Sequence, residues 1–156
     1  MHVVLFQPEI PPNTGSIARL CAATLTPLHL IEPLGFKIDD KHLKRAGLDY
    51  WEFVDLRVHK SWEAFLAEDS AKHLLYFSKR ASRSYTDAHF QENDFLVFGP
   101  ETRGLPQEWL DAHAGNCYRI PMFGAGVRSL NLSNAVSIVL YEGLRQLGKT
   151  KSCYGP

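Results

Sequence analysis

Five short apolar runs, at residues 2–6, 28–31, 73–77, 95–98 and 118–120, constrain this chain more than any other feature. Each is too short for a buried helix and ends in proline, glycine or polar residues, so each reads as a buried strand. Between the first two, Ile17, Leu20, Cys21 and Leu25 recur at helical spacing, with Asn13 or Ser16 as N-cap and the prolines at 8, 11 and 12 as a non-helical loop. A helix starting near Ser61 would bury Trp62, Phe65 and Leu66; another fits residues 106–112. The last, over residues 132–147, carries Val136, Val139, Leu140, Leu144 and Leu147 on one face. The run D-D-K-H-L-K-R-A-G at 39–47 suggests a short basic helix, and the polar stretch between the third and fourth strands reads as loop. Strands alternating with helices predict an α/β fold, a mainly parallel sheet flanked by helices. At 156 residues the chain fits one domain, 1–156, without a linker.

Composition narrows function mostly by exclusion. Lys plus Arg and Asp plus Glu are both 17, so no global basic field gathers nucleic acid, and any RNA contact must be local. The 3 cysteines, Cys21, Cys117 and Cys153, have neither metal-type spacing nor even number, which fits a reducing cytoplasm. No long apolar stretch or basic leader is visible, so a soluble, non-exported protein is expected. The 7 histidines are scattered, without His-Glu-x-x-His or Cys-x-x-Cys, and no metal is expected.

Two motifs mislead. Gly143 to Thr150 spells G-L-R-Q-L-G-K-T, a phosphate-loop match, but it lies on a predicted helix instead of between a strand and a helix N-terminus. A helix C-terminus capped by Gly148, with Lys149 and Lys151 near the negative dipole end, explains it better. Gly124-Ala125-Gly126 follows a strand but has Ser129 where a dinucleotide fingerprint needs its third glycine. A Gly-x-Ser-x-Gly nucleophile elbow is also missing.

Three segments place small or polar residues directly after strands, where ligands gather in parallel sheets. They are N-T-G-S-I-A-R at 13–19, F-G-P-E-T-R-G-L-P at 98–106, and I-P-M-F-G-A-G-V-R-S-L-N-L-S-N-A at 120–135. Singly, each could be turn chemistry with a helix cap. Together, and in this order, they resemble the three motifs of the SPOUT superfamily of RNA methyltransferases. E-I-P-P-N-T-G, L-I-E-P-L-G-F and R-A-G-L-D-Y extend the resemblance to the small tRNA 2'-O-methyltransferases of wobble cytidine or uridine. It runs from Val3 to about Gly148.

The resemblance implies a C-terminal deep trefoil knot over about residues 95–148, a homodimer, and S-adenosyl-L-methionine as methyl donor. The acceptor would be the ribose 2'-hydroxyl of nucleotide 34 in the anticodon stem-loop of certain tRNAs, with leucine isoacceptors the expected substrates. Another tRNA or rRNA site, or a catalytically silent RNA-binding module, are the alternatives; membrane and DNA are not expected partners. By position, the cofactor would meet Phe77, Ser78, Gly99, Pro100, Glu101, Gly104, Ile120, Met122, Ser129, Leu130 and Asn134. The catalytic set would be Arg19, Asn13, Glu101, Ser129 and Asn131. Because a guanidinium stays protonated, Arg19 suits holding a phosphate better than acting as base. RNA contacts fall on Arg19, Arg103, Arg128 and the cluster Lys41, Lys44 and Arg45, backed by Arg80 and Arg83, although the cluster also fits a solvated helix face. Asn13, Asn131 and Asn134 fit helix caps as well as site roles. The chain departs from its relatives at Ser78-Lys79-Arg80-Ala81 and at 123–127, beside the expected pocket.

Overall fold

The computed structural model describes residues 1–38, 51–68 and 72–150. Seven strands form one sheet: β1 (His2–Phe6), β2 (Leu28–Ile31), β3 (Leu56–His59), β4 (Leu74–Phe77), β5 (Arg83–Ser84), β6 (Phe95–Phe98) and β7 (Cys117–Arg119). Their spatial order is β3-β2-β1-β6-β4-β7-β5, and every pairing among the described residues is parallel. Among the described residues four helices flank it: α1 (Pro11–Ala23), α2 (Trp62–Ala67), α3 (Gln107–Ala112) and α4 (Leu132–Gln146). The 39–47 helix predicted from sequence lies outside the described residues.

The central strands are apolar on both faces because both are covered. Val3, Leu5, Leu30, Leu96 and Phe98 pack on one side with Ile17 and Cys21 of α1 and Val136, Val139 and Leu140 of α4. Val4, Ile31, Phe95 and Val97 pack on the other with Phe65 of α2 and Leu110 of α3. The helix after β1 thus lies on one face and the helix after β6 on the other. Since β1 and β6 are neighbours, paired from His2–Phe95 to Leu5–Phe98, their exit loops lead to helices on opposite faces, the switch point at which a parallel sheet forms its ligand crevice.

Several expectations change. Pro11 and Pro12 do not lie in a loop; they open α1, because a first-turn residue needs no N–H partner and proline's φ is already helical. Ile10 is therefore the N-cap residue, in place of Asn13 or Ser16, and makes no side-chain cap bond. Ser61 caps α2 through a hydrogen bond from Ala64 N, and Phe65 is buried, but Leu66 is exposed. The polar stretch read as loop holds β5 and a 3-10 turn, Tyr85–Asp87.

The C-terminus of α4 removes the phosphate-loop match. Gly148 takes φ +72°, while Lys149 N–H bonds Leu144 O and Gly148 N–H bonds Arg145 O, a Schellman closure. Gly143 is buried in the helix against Met1 and Phe90.

The histidines are less scattered than the sequence suggests. Glu68 accepts from His59 Nδ1 (3.0 Å), His59 Nε2 from His29 Nδ1 (2.9 Å), and His29 Nε2 from His2 Nδ1 (3.0 Å), a donor order set by the acceptor-only carboxylate. Burial first, then the neighbouring imidazoles, lowers the His29 pKa to about 3; burial and the chain's amino terminus lower His2 to about 4. Among the described residues no group of three or more His, Cys, Asp or Glu could hold a metal, and no helix is long and apolar enough to cross a membrane.

Candidate active site

The crevice between β1 and β6 is closed by one carboxylate. Glu101, three residues past the end of β6, accepts from Glu9 N (2.8 Å), Ile10 N (3.3 Å) and Asn13 Nδ2 (3.0 Å). It thereby places negative charge at the N-terminus of α1, where Ile10 has no side-chain acceptor to offer. The tie is reciprocal, since Glu9 accepts from Thr102 N (3.0 Å) and from Thr102 Oγ1 (2.7 Å to the nearer oxygen). Those bonds from Thr102 hold the Glu9 carboxyl below its ordinary pKa.

The third segment joins through Asn13. Asn131 Nδ2 donates to Asn13 Oδ1 (2.9 Å), while Asn131 Oδ1 accepts from Ser133 N (2.9 Å) and caps α4. Asn13 is 7% exposed and caps nothing, so its amide bridges Glu101 and Asn131. Asn131 caps and bridges at once. Arg103 Nη2 donates to Gln7 Oε1 (2.6 Å), and Gln7 sits at φ +49°, a left-handed conformation that turns the chain sharply out of β1.

Gly99 is demanded by the fold itself. A methyl there would overlap Leu105 N and Gly104 C, because the loop doubles back upon itself, with Gly104 at φ +69° and Gly104 N bonded to Pro100 O (2.9 Å). Arg80, three residues past the end of β4, is exposed and donates to Leu105 O and to Gln107 Oε1 (3.0 Å). Arg83 likewise donates to Gly115 O and lies over the Tyr118 ring (4.9 Å). Both arginines serve internal contacts.

Asn13 thus contacts both Glu101 and Asn131, with Gly99 and Pro100 flanking Glu101 and Gly104 in the same loop. Phe77 packs in the core, its ring 5.1 Å from that of Phe98, and Ser78 N donates to Tyr118 O (2.9 Å). Residues 121–130 are all exposed, Met122, Arg128, Ser129 and Leu130 among them; Ile120 is half-buried, and Asn134 is exposed in the first turn of α4. Arg19 stands on the exposed face of α1, roughly 9 Å along the helix axis from Asn13 at 1.5 Å per residue. Lys41, Lys44 and Arg45 lie outside the described residues. Sequence reading missed Gln7, Glu9, Thr102 and Ser133 as network members. Glu9 stands within E-I-P-P-N-T-G, and Thr102 follows Glu101, yet nothing in either segment announces a bond across |i−j| = 93.

These features define a parallel α/β sheet with three motif segments gathered at its carboxyl edge, and comparison places it. A model of the SpoU rRNA methylase family matches residues 1–141, and the chain belongs to that family. It is 54% identical to the tRNA (cytidine(34)-2'-O)-methyltransferase of Yersinia pestis, covering 95% of this chain and 94% of that one. With the enzyme of the same description from Escherichia coli K12 it shares 51% identity, over 95% and 94%. A solved structure described as giving insight into 2-OH methylation of C/U34 on tRNA superposes with TM-score 0.89 at 52% identity, covering 95% and 96%. The SpoU methyltransferase AviRb of Streptomyces viridochromogenes, solved with AdoMet, superposes with TM-score 0.80 at 25% identity, over 96% of this chain and 61% of that one.

Proposed function

We propose that this protein transfers a methyl group from S-adenosyl-L-methionine to the ribose 2'-hydroxyl of nucleotide 34, cytidine or uridine, in the anticodon stem-loop of tRNA, leucine isoacceptors among the substrates. The observation that carries the reading is the Glu101–Asn13–Asn131 chain of hydrogen bonds, which gathers three segments distant in sequence at the carboxyl edge of the sheet. Relatives described as performing this methylation support it.

The cofactor's fit rests on the exposed loop. Among the described residues, the loop 121–130 makes one main-chain hydrogen bond, Val127 N to Gly124 O (3.3 Å), so its other peptide groups would face a polar ligand without a partner within the described backbone. Those groups, with Ile120, Met122, Ser129 and Leu130, the backbone at Phe77 and Ser78, and residues 99–104, would hold the cofactor, Asn134 standing at the rim. When bound, it supplies a methyl carried on a sulfonium. The 2'-hydroxyl that would take this methyl must give up its proton, so the site needs a proton acceptor. Arg19, permanently cationic, holds the flanking phosphate, and that phosphate or a water takes the proton. Glu101, Asn13 and Asn131 keep the loops in register, and Arg103 and Arg128 face the RNA. Alignment, not covalent catalysis, is the protein's contribution.

The same reading makes residues 1–156 one cytoplasmic domain, knotted over about 95–148 and working as a homodimer. Phe123 is 97% exposed, with Met122, Val127, Leu130, Ile138 and Tyr141 also open, an apolar surface suited to a second copy. The deciding experiment incubates purified protein with radiolabelled cofactor and tRNA and maps the methyl at nucleotide resolution. Label at the 2'-oxygen of nucleotide 34 is expected, and its absence there overturns the proposal. Arg19→Lys should lower turnover at least 10-fold while cofactor affinity stays within about 2-fold; near-normal turnover would remove the planar guanidinium from the account.

A further inference from the structure

A second concavity lies at the same edge of the sheet, beyond β2. Its walls are Leu34, Phe36, Ile38 and Trp51, and its rim carries Lys37 and Lys60, around a volume of about 1020 Å³. This is a size that takes a nucleoside with its phosphates. Trp51 opens the 3-10 turn Trp51–Phe53, which packs beside α1, the helix bearing Arg19.

The cleft is fixed to the candidate active site by backbone. Gly35 N donates to Pro8 O (2.9 Å), and a side chain at Gly35 would come within 2.7 Å of Glu9 Cα, so this approach requires glycine. Glu9 is the residue clamped to Thr102 and, through its N–H, to Glu101. Any ligand lodged against Phe36 or Trp51 therefore has a fixed placement relative to the β1–β6 crevice.

Its chemistry is that of a stacking platform with a cationic edge. Lys60 is largely exposed and reaches Glu32 (2.9 Å), a surface pair that a phosphate can replace at small cost. Lys37 is exposed as well. Aromatic walls with exposed ammonium groups at the mouth match an unpaired nucleotide, base inward and phosphate outward. A duplex offers no free base face, and a wholly apolar peptide would leave both lysines unused.

We infer that this cleft receives one unpaired base of the RNA substrate, a neighbour of the methylated nucleotide, stacked on Trp51 and Phe36 with its phosphate near Lys37 and Lys60. The inference rests on the proposed RNA methyltransferase activity and adds to it a specificity-determining subsite.

The test uses the full-length protein and anticodon stem-loop RNAs in which each loop nucleotide except 34 is made abasic in turn. Wild type should lose about 10-fold in kcat/KM and in binding at one abasic position. Trp51→Ala should show less than 2-fold discrimination at that position, and Trp51→Phe should restore most of it. Since Trp51→Ala can perturb packing, Lys37→Ala/Lys60→Ala serves as the surface variant. It should keep the wild-type melting temperature and lower the slope of log Kd against log salt by about 0.7, the release expected for one phosphate contact on a single strand. If wild type methylates nucleotide 34 but the abasic penalties are the same in every variant, or the salt slope is unchanged, the cleft is not an RNA subsite while the enzymatic reading stands. If wild type methylates no RNA, both fall.

Discussion

Glu101→Gln is the sharpest test of how the site is held together. In the native protein one carboxylate oxygen accepts Glu9 N–H at 2.8 Å, and the other accepts from Ile10 N and Asn13 Nδ2 at 3.3 and 3.0 Å. Glutamine has one acceptor oxygen, and its amide nitrogen would face another donor. Either the Glu9 bond or the Ile10 and Asn13 pair must therefore be lost. Leaving one partly buried donor unmatched costs about 1–3 kcal/mol, and the negative charge at the N-terminus of α1 is worth a further ~0.5 kcal/mol. A loss of roughly 1.5–3.5 kcal/mol, at about 2–4 °C per kcal/mol for a chain of this size, predicts a fall of some 3–14 °C in Tm. Calorimetry measures the melting temperature, and titration with the cofactor in the same samples should show weaker binding, because the loops lose their register. A variant with wild-type melting and wild-type cofactor affinity would refute the assignment of Glu101 as the tie between the motifs.

Gly99→Ala should cost about 3 kcal/mol, the upper part of the overpacking range, because the added methyl meets backbone of residues 104 and 105 that cannot rotate away; urea unfolding checks it. Acidification should destabilise the protein early. His29 has a folded pKa of about 3 against an unfolded value near 6.5, so the unfolded chain takes the proton first and stability falls from pH 6.5 downward, by about 2 kcal/mol at pH 5. Urea midpoints at pH 7 and pH 5 that coincide would count against a neutral buried His29. Phe123→Asp should convert the proposed homodimer to a monomer in light scattering with little change in Tm, since that side chain is 97% exposed within one chain.

The sheet was legible where strands are central. The runs at 28–31 and 95–98 coincide with β2 and β6, because strands covered on both faces are built mainly of apolar residues, with buried His29 as the one polar residue of these two. β3, read as nothing, is an edge strand whose Arg57 and Val58 are exposed, so its sequence carries no continuous apolar signal. Pro11 and Pro12 misled because proline marks loops and helix starts alike. At the site, Asn13, Glu101 and Asn131 could be singled out through their motifs, but not their mutual bonding. Asn13 and Asn131 are 118 residues apart, and no local pattern encodes such a partner.

That separation bears on how the protein comes to work. Both partners of Asn13 arrive late in synthesis, since Glu101 is made some 88 residues later and Asn131 later still. A nascent chain holding β1 and α1 carries half of a lock whose bolt has yet to leave the ribosome. Competence therefore comes last, in a single closing event, and fragments cut between these partners should be silent until recombined.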